Sequence, residues 1–179
     1  MDKSEHLWSV QVAVDDIPET GLHREIEAPA TARAELAKVA GLRDLPQLSA
    51  VFDLVRKGAG VHVRGQVRAR VGQTCVVTLE PIENTVEEGV DLEFAPPSGP
   101  EPKAKTARKR TVGDDEMPEP LVGGIVDLGA LAAEFLILGI DPYPRKAGVE
   151  FAPPKQDNAG EHPFAALESL KKTLGGGQK

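Results

Sequence analysis

Alternation is the strongest signal in this chain. From Val61 to Val71, valine or alanine stands at positions 61, 63, 67, 69 and 71, while His62, Arg64, Gln66, Arg68 and Arg70 fill the other side. A period of two marks a β-strand with one buried face. Upstream, Leu48–Arg56 is rich in Val, Leu and Phe, and Lys57-Gly58-Ala59-Gly60 supplies a hairpin turn between the two. Downstream, Gly72 permits another turn, so Thr74–Leu79 is predicted as a third strand and Ile82–Phe94, after Pro81, as a fourth. On this last strand Ile82, Val86, Val90, Leu92 and Phe94 share one face, and Glu83, Glu87, Asp91 and Glu93 the other. Four consecutive strands with short connections predict an α+β fold: an antiparallel meander or partly closed barrel, its apolar face covered by two or three helices.

The flanking segments supply that cover. Leu7–Val14 reads as a strand with Trp8, Val10, Val12 and Val14 on one face, ended by Asp15-Asp16-Ile17-Pro18. A short strand fits Leu22–Ala28. A helix is expected over Ala30–Ala40, with Pro29 near its start, Leu36, Val39 and Ala40 on its apolar side, and Gly41 to stop it. Asp127 can cap a second helix running to Leu138, with Leu128, Leu131, Ala132 and Phe135 facing inward and Leu136 and Ile137 widening that face. A third, Phe164–Leu174, precedes a Gly175-Gly176-Gly177 tail.

Between these parts the pattern stops. Residues 95–120 hold Pro96, Pro97, Pro100 and Pro102, a basic run, and then Asp114-Asp115-Glu116. No apolar set there offsets the entropy of ordering, which predicts a long disordered loop. The chain is thus expected to form a single domain over 1–179, with a core of about 7–94 and 121–174, a flexible loop at 95–120 and a tail at 175–179.

Composition narrows the function classes. The formal net charge is −7 and aromatics make up only 4%, so neither overall phosphate attraction nor a base-stacking platform is evident. A lone cysteine, Cys75, excludes an internal disulfide and fits a reducing compartment. No apolar stretch approaches the roughly 20 residues that cross a bilayer, and the start of the chain lacks the basic and apolar pattern of a signal peptide. The expectation is a cytoplasmic monomer without a membrane partner.

Candidate chemistry is sparse. His6, His23, His62 and His162 fall in no nucleophile, phosphate-loop or metalloprotease spacing, and each reads as a solvated surface histidine. Gly123-Gly124 before a helix lacks the rest of a dinucleotide fingerprint. One cysteine cannot make a zinc site, which takes about four ligands. No catalytic residue, metal or cofactor is expected.

Charge is what remains. Alternate residues of a strand lie about 6.8 Å apart, so Arg64, Arg68 and Arg70 form a basic stripe. That stripe could follow a nucleic-acid backbone, or it could pair across the sheet with Glu83, Glu87 or Asp91. Lys103, Lys105, Arg108, Lys109 and Arg110 place five positive charges in eight residues without an acid. Such a run is either a phosphate-binding element or an inert charged linker. The acidic set Glu83, Glu87, Asp91 and Glu93 is in turn a candidate surface for a basic partner.

Three stretches resemble one family. Val63–Val71 runs into Cys75-Val76-Val77-Thr78-Leu79-Glu80-Pro81-Ile82; Val126–Pro142 carries an Asp-Leu helix with an embedded Glu134; and His162-Pro163-Phe164-Ala165-Ala166-Leu167 opens the last helix. In that order and spacing, over roughly residues 48–174, they are similar to the YceD-like family. The resemblance implies a part in accumulation or processing of large-subunit (23S) ribosomal RNA, with precursor ribosomal RNA or a ribosomal protein as partner. It brings no catalytic residues. Many relatives carry Cys-x-x-Cys before Leu-Glu-Pro, whereas Thr78 stands at the second position here, so a metal is not expected. Glu134 is expected to be buried and ion-paired with Arg145 or Lys146, since buried carboxylates are usually paired.

Overall fold

In a computed structural model of the chain, residues 7–96 and 118–151 are described. The chain divides into two units, Met1–Ala147 and Gly148–Lys179. All the elements below belong to the first. The predicted helix Phe164–Leu174, its tail and the basic run Lys103–Arg110 lie outside the described residues.

The element order is β1 (Gln11–Ala13), a 3-10 turn (Val14–Asp16), β2 (Leu22–Glu27), α1 (Ala30–Val39), β3 (Asp44–Lys57), β4 (Gly60–Thr74), β5 (Pro81–Ala95), β6 (Glu119–Pro120), β7 (Ile125–Asp127) and α2 (Leu128–Gly139). The main sheet has the order β2-β3-β4-β5-β6. Its first four strands form an antiparallel meander, and β6 adds a parallel pairing to the end of β5 alone. The sheet is open and does not close into a barrel.

The four-stranded meander is not assembled from the four expected strands. Its first member is β2, and beyond Thr74, which ends β4, the expected third strand is absent: Cys75–Leu79 is a turn. β4 runs straight through Gly72 to Thr74. Gly72 marks a close approach rather than a turn, because a Cβ there would strike the Asp44 carboxylate on β3. The real reversal comes later. Leu79 N–H donates to Cys75 O at 2.9 Å, Cys75 N–H donates to Glu80 O at 2.9 Å, and Leu79 adopts a left-handed φ of 60°.

Period-two alternation decides which face is inside. Val61, Val63, Val67, Ala69 and Val71 of β4 are buried, against Leu48, Ala50, Phe52 and Leu54 of β3. Both helices lie on that face. A fully buried Leu54 or Leu136 contributes about 1.5–3 kcal/mol relative to an exposed one, so this layer supplies most of the cohesion. Gly65 lets Phe52 lie flat across β4, since a Cβ at 65 would meet that ring.

The helices and the first strand depart in detail from expectation. α1 ends in a Schellman motif, with Leu42 N–H donating to Ala37 O and Gly41 N–H to Lys38 O. Its buried side is Ala32, Leu36 and Ala37; Val39 is exposed, because small alanines rather than the valine set the distance to the sheet. α2 buries Leu128, Gly129, Leu131, Ala132 and Leu136, with Phe135 half-buried and Ile137 and Leu138 exposed. In the Leu7–Val14 segment only Gln11–Ala13 pairs, and it pairs with β7 in a separate two-stranded sheet. The preceding residues spend their hydrogen bonds on α2. Asp127 accepts from Val10 N at 2.8 Å and Ser9 Oγ at 2.6 Å, while Leu128 N–H donates to Val10 O. The ends of the predicted loop are also ordered, Ala95 in β5 and Glu119–Pro120 in β6.

Candidate functional site

Among the described residues, the helices leave the second face of the sheet uncovered, and pairing registers place its side chains in rows. His23, Asp53, Arg64 and Asp91 stand side by side across β2, β3, β4 and β5. The row through Glu27, Ser49, Arg68 and Glu87 lies two positions beyond Glu25, Val51, Gln66 and Gly89. Arg70 stands between Gln47 and Thr85. The basic stripe and the acidic set that the sequence singled out are therefore neighbouring columns of one surface.

They are already matched. Arg64 Nε donates to Asp91 Oδ2 at 3.2 Å. Arg68 Nε lies 3.7 Å from Glu87 Oε1, and Arg70 reaches diagonally to Glu83 Oε1 at 3.4 Å. Lys57 pairs with Glu93, and His62 Nε2 with Asp91 Oδ1 at 2.5 Å. Of the two readings open for the arginines, cross-strand pairing describes their contacts. The hydrogen bond from His62, joined by Arg64, holds the Asp91 carboxyl below the usual carboxylate range, and Lys57 does the same for Glu93. On β2, hydrogen bonds to Asp53 (2.7 Å) and Glu25 raise the pKa of His23. By pattern alone His23 and His62 are lone surface groups. Their acidic neighbours could be found only once register was known.

Acid remains in excess on this face. Each arginine has its carboxylate, and Glu25, Glu27 and Asp53 add negative charge beside a single histidine.

A second cluster surrounds Cys75, which is fully buried. Its sulfur accepts N–H groups from Thr78 at 3.5 Å and Lys146 at 3.3 Å. Val76 N–H donates to Pro144 O at 2.9 Å, and Lys146 Nζ donates to Glu80 Oε2 at 2.7 Å. A hydrogen bond from the Thr78 side chain, with the backbone N–H groups of Lys146 and Thr78, pulls the thiol down to about 6 against burial, which pushes it up. The expected pairing of Lys146 with Glu134 is thus replaced by Lys146–Glu80. Glu134 is exposed on the far side of α2 and makes no ion pair among the described residues. It stands on the rim of an apolar cleft of about 400 Å³ between the two helices, walled by Trp8, Leu36, Val39, Ala133 and Ile137.

Among the described residues, no three His, Cys, Asp or Glu side chains converge as a metal site. No helix among them is long and apolar enough to cross a membrane.

Fold and site together define a class: α+β proteins whose sheet is roofed on one side and presents a charge-paired, acid-rich face on the other. The family model described as "Large ribosomal RNA subunit accumulation protein YceD" matches residues 63–171, which takes in most of β4, all of β5 and α2. The chain belongs to that family, whose name links it to large-subunit ribosomal RNA accumulation. Nothing among curated proteins or solved structures matches it.

Proposed function

We propose that this protein is a non-catalytic, cytoplasmic, monomeric factor that supports accumulation of large-subunit (23S) ribosomal RNA by holding a basic ribosomal or assembly protein on its open sheet face. It needs no cofactor. The observation that carries this reading is the pairing of Arg64, Arg68 and Arg70 with Asp91, Glu87 and Glu83. A phosphate backbone must displace those carboxylates before it reaches the arginines. A cationic protein meets acids that are exposed and that, once Glu25, Glu27 and Asp53 are included, outnumber the cations of this face, which favours encounter.

The test is capture of purified ribosomal proteins before and after nuclease treatment, with wild type and with Glu83→Gln, Glu87→Gln, Asp91→Asn and Glu93→Gln combined. Capture that survives nuclease and is lost in the amide variant supports the reading. Loss of every partner on nuclease treatment sinks it.

A second reading rests on a different observation, the five cations of Lys103, Lys105, Arg108, Lys109 and Arg110. This run contacts precursor ribosomal RNA directly if binding to a large-subunit RNA fragment falls steeply with salt and is lost on neutralising these five residues. Affinity indifferent to both changes removes it.

A further inference from the structure

Among the described residues, the outer edge of β5 is open along most of its length. β6 engages only Phe94 and Ala95, and among the described residues no strand pairs with β5 on that side from Pro81 to Glu93. The β4–β5 register runs unbroken from Val61↔Phe94 to Thr74↔Pro81, so the direction of every backbone group on β5 follows from its two ends.

Two observations fix that direction. Ala95 O accepts from Leu121 N at 2.8 Å, on the side away from β4. Phe94 O points the other way, since a Cβ at Gly60 of β4 would collide with it. In an antiparallel ladder, residues facing the partner strand alternate with residues facing away. Glu83, Thr85, Glu87, Gly89, Asp91 and Glu93 therefore aim N–H and C=O away from β4, and all but the Glu93 C=O, which faces β6, lie on the free edge.

The same parity puts their side chains on the open face, where four of the six are acids. Moving across the sheet, β4 presents a basic column and β5 an acidic one, and there the sheet stops. An added strand with a cation at every second residue would give each β5 carboxylate an opposite charge on both sides, the favourable cross-strand arrangement. A second copy of β5 would set acid against acid, a common device that keeps such edges apart.

We propose that this edge binds an extended lysine- or arginine-rich segment of a partner protein as an additional strand. This rests on the acid-face reading above and adds to it the mode of binding: main-chain hydrogen bonds give affinity, and alternate cations give selection.

The probe is a synthetic peptide alternating arginine with threonine, long enough to run from Glu83 to Glu93, titrated onto the intact protein. Two control peptides keep its composition. One is N-methylated at the residues whose N–H would face β5, and the other collects its arginines in one block. The proposal expects each control to bind about tenfold more weakly or worse. Amides of Glu83, Thr85, Glu87, Gly89, Asp91 and Glu93 should exchange freely alone and slow down with the alternating peptide. Thr85→Pro and Gly89→Pro remove outward N–H groups without touching the β4 ladder, and should cause a similar loss with little change in melting temperature. Equal binding of the N-methylated peptide overturns edge docking while leaving the acidic face as the partner surface. No binding of any of the three peptides overturns both.

Discussion

Arg68 and Glu87 are direct partners in the β4–β5 register, with Nε 3.7 Å from Oε1, and neither is buried. Their side chains are about half exposed, so solvent screens the attraction and the pair stabilises by only ~0.5 kcal/mol. Its larger consequence is that the arginine is occupied. Arg68→Glu should destabilise slightly through repulsion with Glu87, and adding Glu87→Arg should recover the loss, as measured in a double-mutant cycle by urea unfolding. A cycle with zero coupling would show that the paired geometry is not populated in solution.

Asp127 has a different weight because one carboxylate serves two elements. Its Oδ1 accepts from Gly129 N and Ala130 N at 3.1 Å, capping α2, and from Val10 N at 2.8 Å, tying down the segment before β1. Asp127→Ala leaves those donors unmet and should cost about 2–3 kcal/mol. Asp127→Asn keeps an acceptor oxygen in place and should cost only a fraction of that. Equal losses in urea melts of the two variants would show that the cap is not the cause.

Gly129 tests the same junction by volume. A Cβ there would lie 2.9 Å from both Trp8 O and Val10 N, which are main-chain atoms and cannot swing aside. Gly129→Ala should lift the Trp8 segment from α2 at a cost of about 2 kcal/mol. Trp8 is the only tryptophan, and it is buried. Its emission should move to longer wavelength in the folded variant; an unshifted spectrum with native stability contradicts the close packing.

Local pattern was enough for whatever a period of two could report. The β3–β4 hairpin, its buried valines and the opposed columns on β4 and β5 were all readable from Val61–Val71 and Ile82–Phe94. Register was not, since it depends on the length of a connection that Thr74–Leu79 disguised. Val76, Val77 and Leu79 have the composition of a strand, yet the turn is held by Pro144 and Lys146, the latter 71 positions away along the chain. A long-range clamp leaves no local signature. The pattern misleads at Glu134 for a related reason: its apolar neighbours point to burial, whereas the helical positions of Leu128, Leu131, Ala132 and Leu136 turn it toward solvent. β6 and β7 are too short for any periodicity to register.

Cys75 gives that clamp a pH dependence whose sign can be worked out. Hydrogen bonds from the Thr78 side chain and from the Lys146 and Thr78 N–H groups bring the folded thiol to about 6, against 9.0 for the free group. The folded state therefore releases its proton before the unfolded state does, and folding is favoured where the thiolate exists. Relative to Cys75→Ala, the stabilisation should be fully present above pH 9.0, decline as pH falls, and be gone below about pH 6. Urea melts of both proteins across that window measure the difference directly, and the native thiolate's ultraviolet absorbance should titrate near 6. A gap that stays constant between these limits, or a native thiol titrating at its ordinary value, would mean the sulfur accepts these hydrogen bonds as a neutral group. The turn would then owe its geometry to the Val76–Pro144 and Glu80–Lys146 links alone.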